Sequence, residues 1–242
     1  MKKFLLLLLF FAITAGTLTE VSAQDKKRTA TDLPDISVIG NMLGSKKTSG
    51  VDFDVKEIEL SFQHYLYPSV KANVFAAFHK DGDTVKTELE EAYVDFSDVM
   101  NIVWSDITDV PLGAVVGKKF LSVGKVNPLH PEQLPYVDRP LAIGQFFGAD
   151  EALSGEGAEF SYLFPTDFFL QAQAGYWIPA AHEETAGHTG VEYSGKILNT
   201  RVWSGFDIAD DSELEIGVSS LLGNQSASSD HEKQSVIGAD FT

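Results

Sequence analysis

The chain has 242 residues, no cysteine and a formal net charge of −17. That length suits one all-β domain, the missing cysteines exclude disulfide staples and thiolate metal sites, and the acidity argues against nucleic acid as a partner, because phosphate binding needs a basic surface. At 44% hydrophobic and 11% aromatic residues it is not a disordered chain, yet its mean hydropathy of −0.03 is anomalous for membrane helices and ordinary for strands that meet lipid with every second residue.

In chain order, an export signal comes first. Lys2 and Lys3 supply a positive start, Phe4 to Ala15 is an almost unbroken apolar run, and Val21-Ser22-Ala23 offers a cleavage point. Residues 1–23 are therefore read as a cleaved signal peptide. The mature chain is expected to start near Gln24 and, with Lys2, Lys3 and Glu20 gone, to be more acidic by one charge. Residues 24–34 are read as a short periplasmic segment and 35–242 as the folded body. After Gln24 no apolar run approaches the ~20 residues of a helical span. An exported chain that stays in a membrane must then cross it as a closed barrel.

Period-2 alternation dominates from there on, in blocks of about ten residues, which is the barrel signature. In 57–67, Ile58, Leu60, Phe62 and Leu66 alternate with Glu57, Glu59, Ser61 and Gln63, with His64 as an interruption. Val70, Ala72, Val74, Ala76 and Phe78 continue the pattern after Pro68. Val85, Thr87 and Leu89 then keep one phase while Ala92, Val94 and Phe96 keep the other, so Glu90-Glu91 marks a bulge or the point where the strand leaves for its loop. The later blocks pair Leu170, Ala172, Ala174 and Tyr176 against Gln171 and Gln173, Leu198 and Val202 against Asn199 and Arg201, and Ile216 and Val218 against Glu215 and Gly217. The expected strands lie near 36–43, 57–67, 69–79, 86–97, 112–121, 157–164, 168–178, 196–208, 213–222 and 234–242.

Loop lengths sort onto two ends. The connections at Tyr67-Pro68-Ser69, Pro165-Thr166-Asp167 and Ala209 to Ser212 are tight, whereas 126–156, 179–192 and 223–233 are long and polar. Threaded from a periplasmic N-terminus, the tight turns fall inside and the long loops outside, as in outer-membrane barrels. A short outer turn at 79–85 and a long inner connection at 97–111, with Trp104 and Ile107, fit less well. Tyr65, Tyr67, Phe164, Tyr176, Trp177 and Phe206 near strand ends suit interfacial girdles.

The mid-chain runs Gly117-Lys118-Lys119-Phe120, Gly124-Lys125-Val126-Asn127-Pro128-Leu129-His130-Pro131, Pro135-Tyr136-Val137-Asp138-Arg139-Pro140 and Phe146-Phe147-Gly148 form an ordered series. The series resembles a family of Gram-negative outer-membrane proteins related to the phosphate-selective and carbohydrate porins, some members of which carry the label of zinc-regulated, TonB-dependent receptors. The resemblance covers about 33–242. It implies an all-β antiparallel transmembrane β-barrel, a meander of roughly sixteen strands, of which this chain would supply an N-terminal portion of about ten. Tyr136 and Leu134 depart mildly from the family pattern, and Phe241-Thr242 lacks its final aromatic.

Function follows as an expectation of passive diffusion of small hydrophilic solutes through a porin-like channel in outer-membrane lipid, open to assembly as a homo-oligomer. The long 126–156 loop could fold inward as a constriction, with His130, Glu132, Asp138 and Arg139 setting selectivity; the plainer alternative pairs Asp138 with Arg139 to hold the loop. Lys119, Arg201, Gln171 and Gln173 are expected to face the lumen, while Lys118 sits in the outward phase. His182, His188 and His231 could capture a metal from outer loops, in a receptor-like alternative, or simply be solvated. Their spacing is not that of a metalloprotease helix, and no nucleophile elbow or Gly-rich phosphate loop appears, so neither an enzyme nor a cofactor is expected. A secreted soluble β-sandwich is the third reading.

Overall fold

The computed structural model describes residues 33–48, 50–81, 84–104, 107, 110–136, 139–140, 143, 152–180, 193–209, 211–225 and 233–242. The strands are β1 (Asp35–Lys47), β2 (Gly50–Tyr67), β3 (Val70–Asp81), β4 (Thr84–Phe96), β5 (Leu112–Phe120), β6 (Ser154–Leu163), β7 (Phe169–Pro179), β8 (Tyr193–Ala209), β9 (Ser212–Gln225) and β10 (Lys233–Phe241). They form one 10-stranded antiparallel sheet in the order β1 to β10, each strand paired with its sequence neighbours. The protein is thus an all-β meander, as the alternation predicts. β1 and β10 are the two edges of this sheet.

Two strands run past their expected ends. The β1–β2 hairpin continues from Met42↔Val55 to Lys47↔Gly50, with a register shift at Asn41/Met42. On the β2 arm the alternation continues, with Val51, Phe53 and Val55 against Asp52, Asp54 and Lys56, whereas residues 44–50 are polar or glycine and show none. The phase slip in β4 is a bulge: Phe75 faces Glu91 and Ala76 faces Leu89, leaving Glu90 unopposed. A bulge of this kind lets consecutive side chains turn to the same face, and Glu90 and Glu91 are both buried.

The two faces are inverted relative to a soluble sheet. Glu57, Glu59, Ser61, Asn73, Glu159, Asn199, Arg201 and Ser219 are buried on one face. Ile58, Phe62, Val116, Phe160, Tyr176, Val202 and Val218 are exposed on the other. Register lines these sets up across strands, with Arg201 between Gln173 and Ser219 and Val202 between Ala172 and Val218. Polar groups interrupt the apolar face at a few places: Thr200 and Ser220 satisfy each other there at 2.8 Å, and the cross-strand pair Lys118 and Glu156 lies in the same phase.

The segment between β5 and β6 covers the polar face. It reaches Glu59 on β2 through His130 and Ser219 on β9 through Gly124. On a flat sheet seven strand spacings would separate β2 from β9 by ~34 Å. Six fully extended residues span only ~22 Å, and 124–128 are folded into turns, so the sheet curls around this loop. The β4–β5 connection instead carries a short helix α1 (Val99–Val103), started by Asp98, whose carboxylate accepts from Asn101 N–H at 3.0 Å. Among the described residues no helix is long and apolar enough to cross a membrane.

Candidate functional site

The loop is built around Asn127, which is fully buried. Its amide donates to the carbonyls of Leu121 (2.8 Å) and Leu153 (3.0 Å) and accepts from Leu153 N–H at 2.9 Å. Leu121 N–H also donates to Leu153 O at 2.9 Å, so the two ends of the loop are pinned together. Arg139 braces the turn between them: its guanidinium donates to the carbonyls of Val126 (3.0 Å), Asn127 (3.4 Å) and Leu129, and lies 5.8 Å from the Phe120 ring centroid. A single 3-10 turn, Pro131–Gln133, follows His130, and the Gln133 side chain accepts from His130 N–H at 3.0 Å.

His130 is thereby aimed at the wall. Nε2 donates to Glu91 Oε2 at 2.9 Å, while Nδ1 lies 2.7 Å from Glu59 Oε2 and 3.5 Å from Glu90 Oε2. Phe75 and Phe120 flank the imidazole, with ring centroids 4.7 and 5.0 Å away. Glu91 is held in turn by Phe120 N–H, which donates to its Oε1 at 2.7 Å. Burial opposes the charged imidazole, but the carboxylates of Glu59, Glu90 and Glu91 outweigh it and push the His130 pKa up to about 12. Glu132, exposed on the 3-10 turn, is held above the ordinary carboxylate value by partial desolvation, with the charges of Glu59 and Glu90 adding to it against a backbone hydrogen bond and His130.

A second network lies mid-wall. Glu159 accepts from Ser122 Oγ at 2.9 Å and from Asn199 Nδ2 at 3.1 Å, with Lys119 Nζ 3.7 Å away. Trp177, expected at an interfacial girdle, is instead fully buried on the polar face, where its Nε1 donates to Asn199 Oδ1 at 2.7 Å. Gly175 is required beneath this pair, since a Cβ there would stand 2.2 Å from both Trp177 Nε1 and Asn199 Oδ1. A third network joins Arg201 to Asp240 through two hydrogen bonds, 2.9 and 2.8 Å. Beside it, Lys125 donates to Glu215 at 2.8 Å and Gly124 N–H to Ser219 at 2.9 Å. Between these last networks and the loop's end, Leu121, Val123, Leu153, Trp177, Tyr193, Ile197 and Leu221 form a buried apolar cluster against which Ile143 and Val236 pack. A cavity of about 420 Å³ remains between the loop and β10, lined in part by Val126, Ile143, Val236 and Asp240.

Of the residues singled out in the sequence, His130, Glu132 and Arg139 belong to this loop, and Lys119 and Arg201 lie on the wall it covers. Gln171 and Gln173 share that face, opposite Trp203 and Arg201. Lys118 stands in the other phase, near Glu88 (3.7 Å). Asp138, His182, His188 and His231 lie outside the described residues, as does the expected signal peptide. Sequence reasoning missed Glu59, Glu90, Glu91, Asn127, Glu159 and Asn199 as site residues; the phase slip at Glu90-Glu91 and the place of Asn127 in the mid-chain series were the local signals for them. Compared with known proteins, the chain matches no family model, no curated protein and no solved structure.

Proposed function

We propose that this protein is an outer-membrane porin-like channel, a transmembrane β-barrel that lets small hydrophilic solutes diffuse passively. The inverted sheet carries the reading. In water, a sheet that exposes Ile58, Phe160 and Val202 while burying Glu57, Glu59 and Glu159 forfeits hydrophobic burial and desolvates charge at once. Around a polar interior and within lipid, both placements are favourable. On β8 the exposed phase runs from Leu198 to Ile208, ten steps of ~3.3 Å that, tilted by ~40°, cover the ~25 Å apolar band of such barrels.

Three further features support it. Tyr65, Tyr67, Trp104, Phe164, Phe168 and Phe206 are all exposed at the tight-turn end, where an interfacial girdle would sit. The N-terminal export signal and the mid-chain resemblance to porin relatives point to the same compartment. In a bilayer the edges of β1 and β10 need strand partners, because unpaired backbone is not tolerated there. The inward loop then acts as the constriction, and its acidic surroundings, with Glu57 beside Glu59 and Glu90 and with Asp95 and Glu159 around Lys119, favour cations over anions.

Conductance of the purified full-length protein in planar bilayers tests this. Discrete openings with a cation-selective reversal potential are expected. A folded, heat-modifiable protein that never conducts would sink the channel and leave a receptor whose outer loops capture a ligand.

A further inference from the structure

The charges at the loop tip do not balance. Glu59, Glu90 and Glu91 converge on one imidazole, so even a protonated His130 leaves a net negative, buried cluster. Glu59 and Glu90 are 2% and 1% exposed, and all four of their carboxylate oxygens lack a hydrogen-bond partner among the described residues. Three buried carboxylates that share a single imidazole as their counter-charge are strongly unfavourable. An independent observation points the same way. His130 is only 4% exposed, and its Nδ1 is aimed between Glu59 and Glu90, 2.7 and 3.5 Å from their nearest oxygens, without hydrogen-bond geometry to either.

Glu91 behaves differently from the other two. Both of its oxygens are engaged, one by Phe120 N–H and one by His130 Nε2. A carboxylate on one imidazole nitrogen that leaves the other nitrogen facing inward, free to bind once its proton is lost, is the usual outer support of a metal-bound histidine. We propose that Nδ1 of His130 and the carboxylates of Glu59 and Glu90 form a binding site for a first-row divalent transition cation, with Glu91 orienting the imidazole.

The geometry and the donor set both fit. One ligand atom from each of the three residues lies within 4.8 Å of the others. Donors around a cation at ~2.1 Å stand ~3.4 Å apart, close to the 3.5 Å between Nδ1 and Glu90. The 2.7 Å contact to Glu59 opens by several tenths of an ångström. Two carboxylates neutralise the cation, the imidazole selects against calcium and magnesium, and the lack of thiolate selects against cuprous ion. Uptake displaces the proton from Nδ1. The rings of Phe75 and Phe120 shield the site, and a bound cation staples β2, β4 and the loop tip together.

The test strips the full-length protein in detergent micelles with a chelator and titrates it with Co²⁺ alone, followed by visible absorption. One Co²⁺ per chain with a nitrogen/oxygen ligand-field spectrum is expected. Glu59→Gln/Glu90→Gln should weaken it by about 100-fold or more, and Glu91→Gln by about 10- to 100-fold. His182→Ala/His188→Ala/His231→Ala should leave it intact. If the double variant fails to fold, Glu90→Gln alone carries the test. A signal that survives loss of the carboxylates, one that vanishes with the three outer histidines, or no binding by the folded parent would each overturn the assignment. Because nothing here requires conduction, a channel that never opens leaves this site standing, and an open channel without Co²⁺ binding removes only the site.

Discussion

At its base the β5–β6 loop is held by apolar packing, and at its tip by charge. Near Leu121, Val123 and Leu153 it meets Trp177, Ile197 and Leu221 of the wall in a buried cluster. Seven residues further on, His130 meets Glu59, Glu90 and Glu91, with hardly an apolar contact beyond two phenylalanine rings. Each large apolar side chain buried at the first anchor contributes about 1.5–3 kcal/mol, and that contribution is indifferent to pH and to ions. The second anchor depends on what cation occupies its centre, because breaking a buried charge pair is costly while making one gains little. The same loop therefore has a base fixed by its sequence and a tip set by its surroundings.

The apolar anchor should give the largest effect when broken. Trp177 is fully buried and also donates to Asn199. Trp177→Ala leaves a cavity and an unpaired Asn199 oxygen, and should cost about 3–5 kcal/mol. Urea unfolding in micelles, followed by far-UV circular dichroism, measures it. A loss under about 1 kcal/mol would mean that the charged anchor alone holds the loop.

The second effect concerns the pin between the two anchors. Asn127→Ala removes the side-chain hydrogen bonds that join Leu121 to Leu153, and orphaned buried groups of this kind cost about 1–3 kcal/mol. The strands do not depend on them, so the sheet should stay folded while the loop opens. Trypsin cleavage after Lys125 should become faster in the variant. Unchanged cleavage would show that packing at Leu121 and Leu153 suffices without the pin.

How much of this was legible in the sequence depends on how local each signal is. Strands β2 to β10 announce themselves because alternation is a property of neighbouring residues, as in Ile58-Glu59-Leu60-Ser61. The outer half of the β1–β2 hairpin is less plain, since only its β2 arm alternates, at Val51, Phe53 and Val55, while residues 44–50 are polar or glycine. The bulge at Glu90-Glu91 was visible as a phase slip, but its consequence was not: Glu91 meets a histidine 39 positions away. His130 and Arg139 stood out as charged residues in a long loop, and Arg139 turns out to spend its guanidinium on loop carbonyls. Glu159 and Asn199 read as two more polar residues on a wet face. Only the fold brings them together with Ser122, 77 positions from Asn199.

The smallest effect, and the one that separates the anchors most sharply, is on pH. In chelator, where a proton rather than a metal sits at the charged end, the folded His130 holds that proton to about 12, while its ordinary value is 6.5. A folded pKa above the unfolded one gives stability that is complete below about 6.5 and is lost as pH rises through the window toward 12. From pH 7 to 8 the metal-free protein should therefore lose stability with a slope of up to about 1.4 kcal/mol per pH unit from this group. His130→Gln should lack that slope, and Trp177→Ala should keep it on a lower baseline. Urea midpoints measured in chelator across that range compare the three directly. Parallel slopes in all of them would mean that the proton on His130 does not hold the loop tip, and the contrast between the two anchors would fall with it.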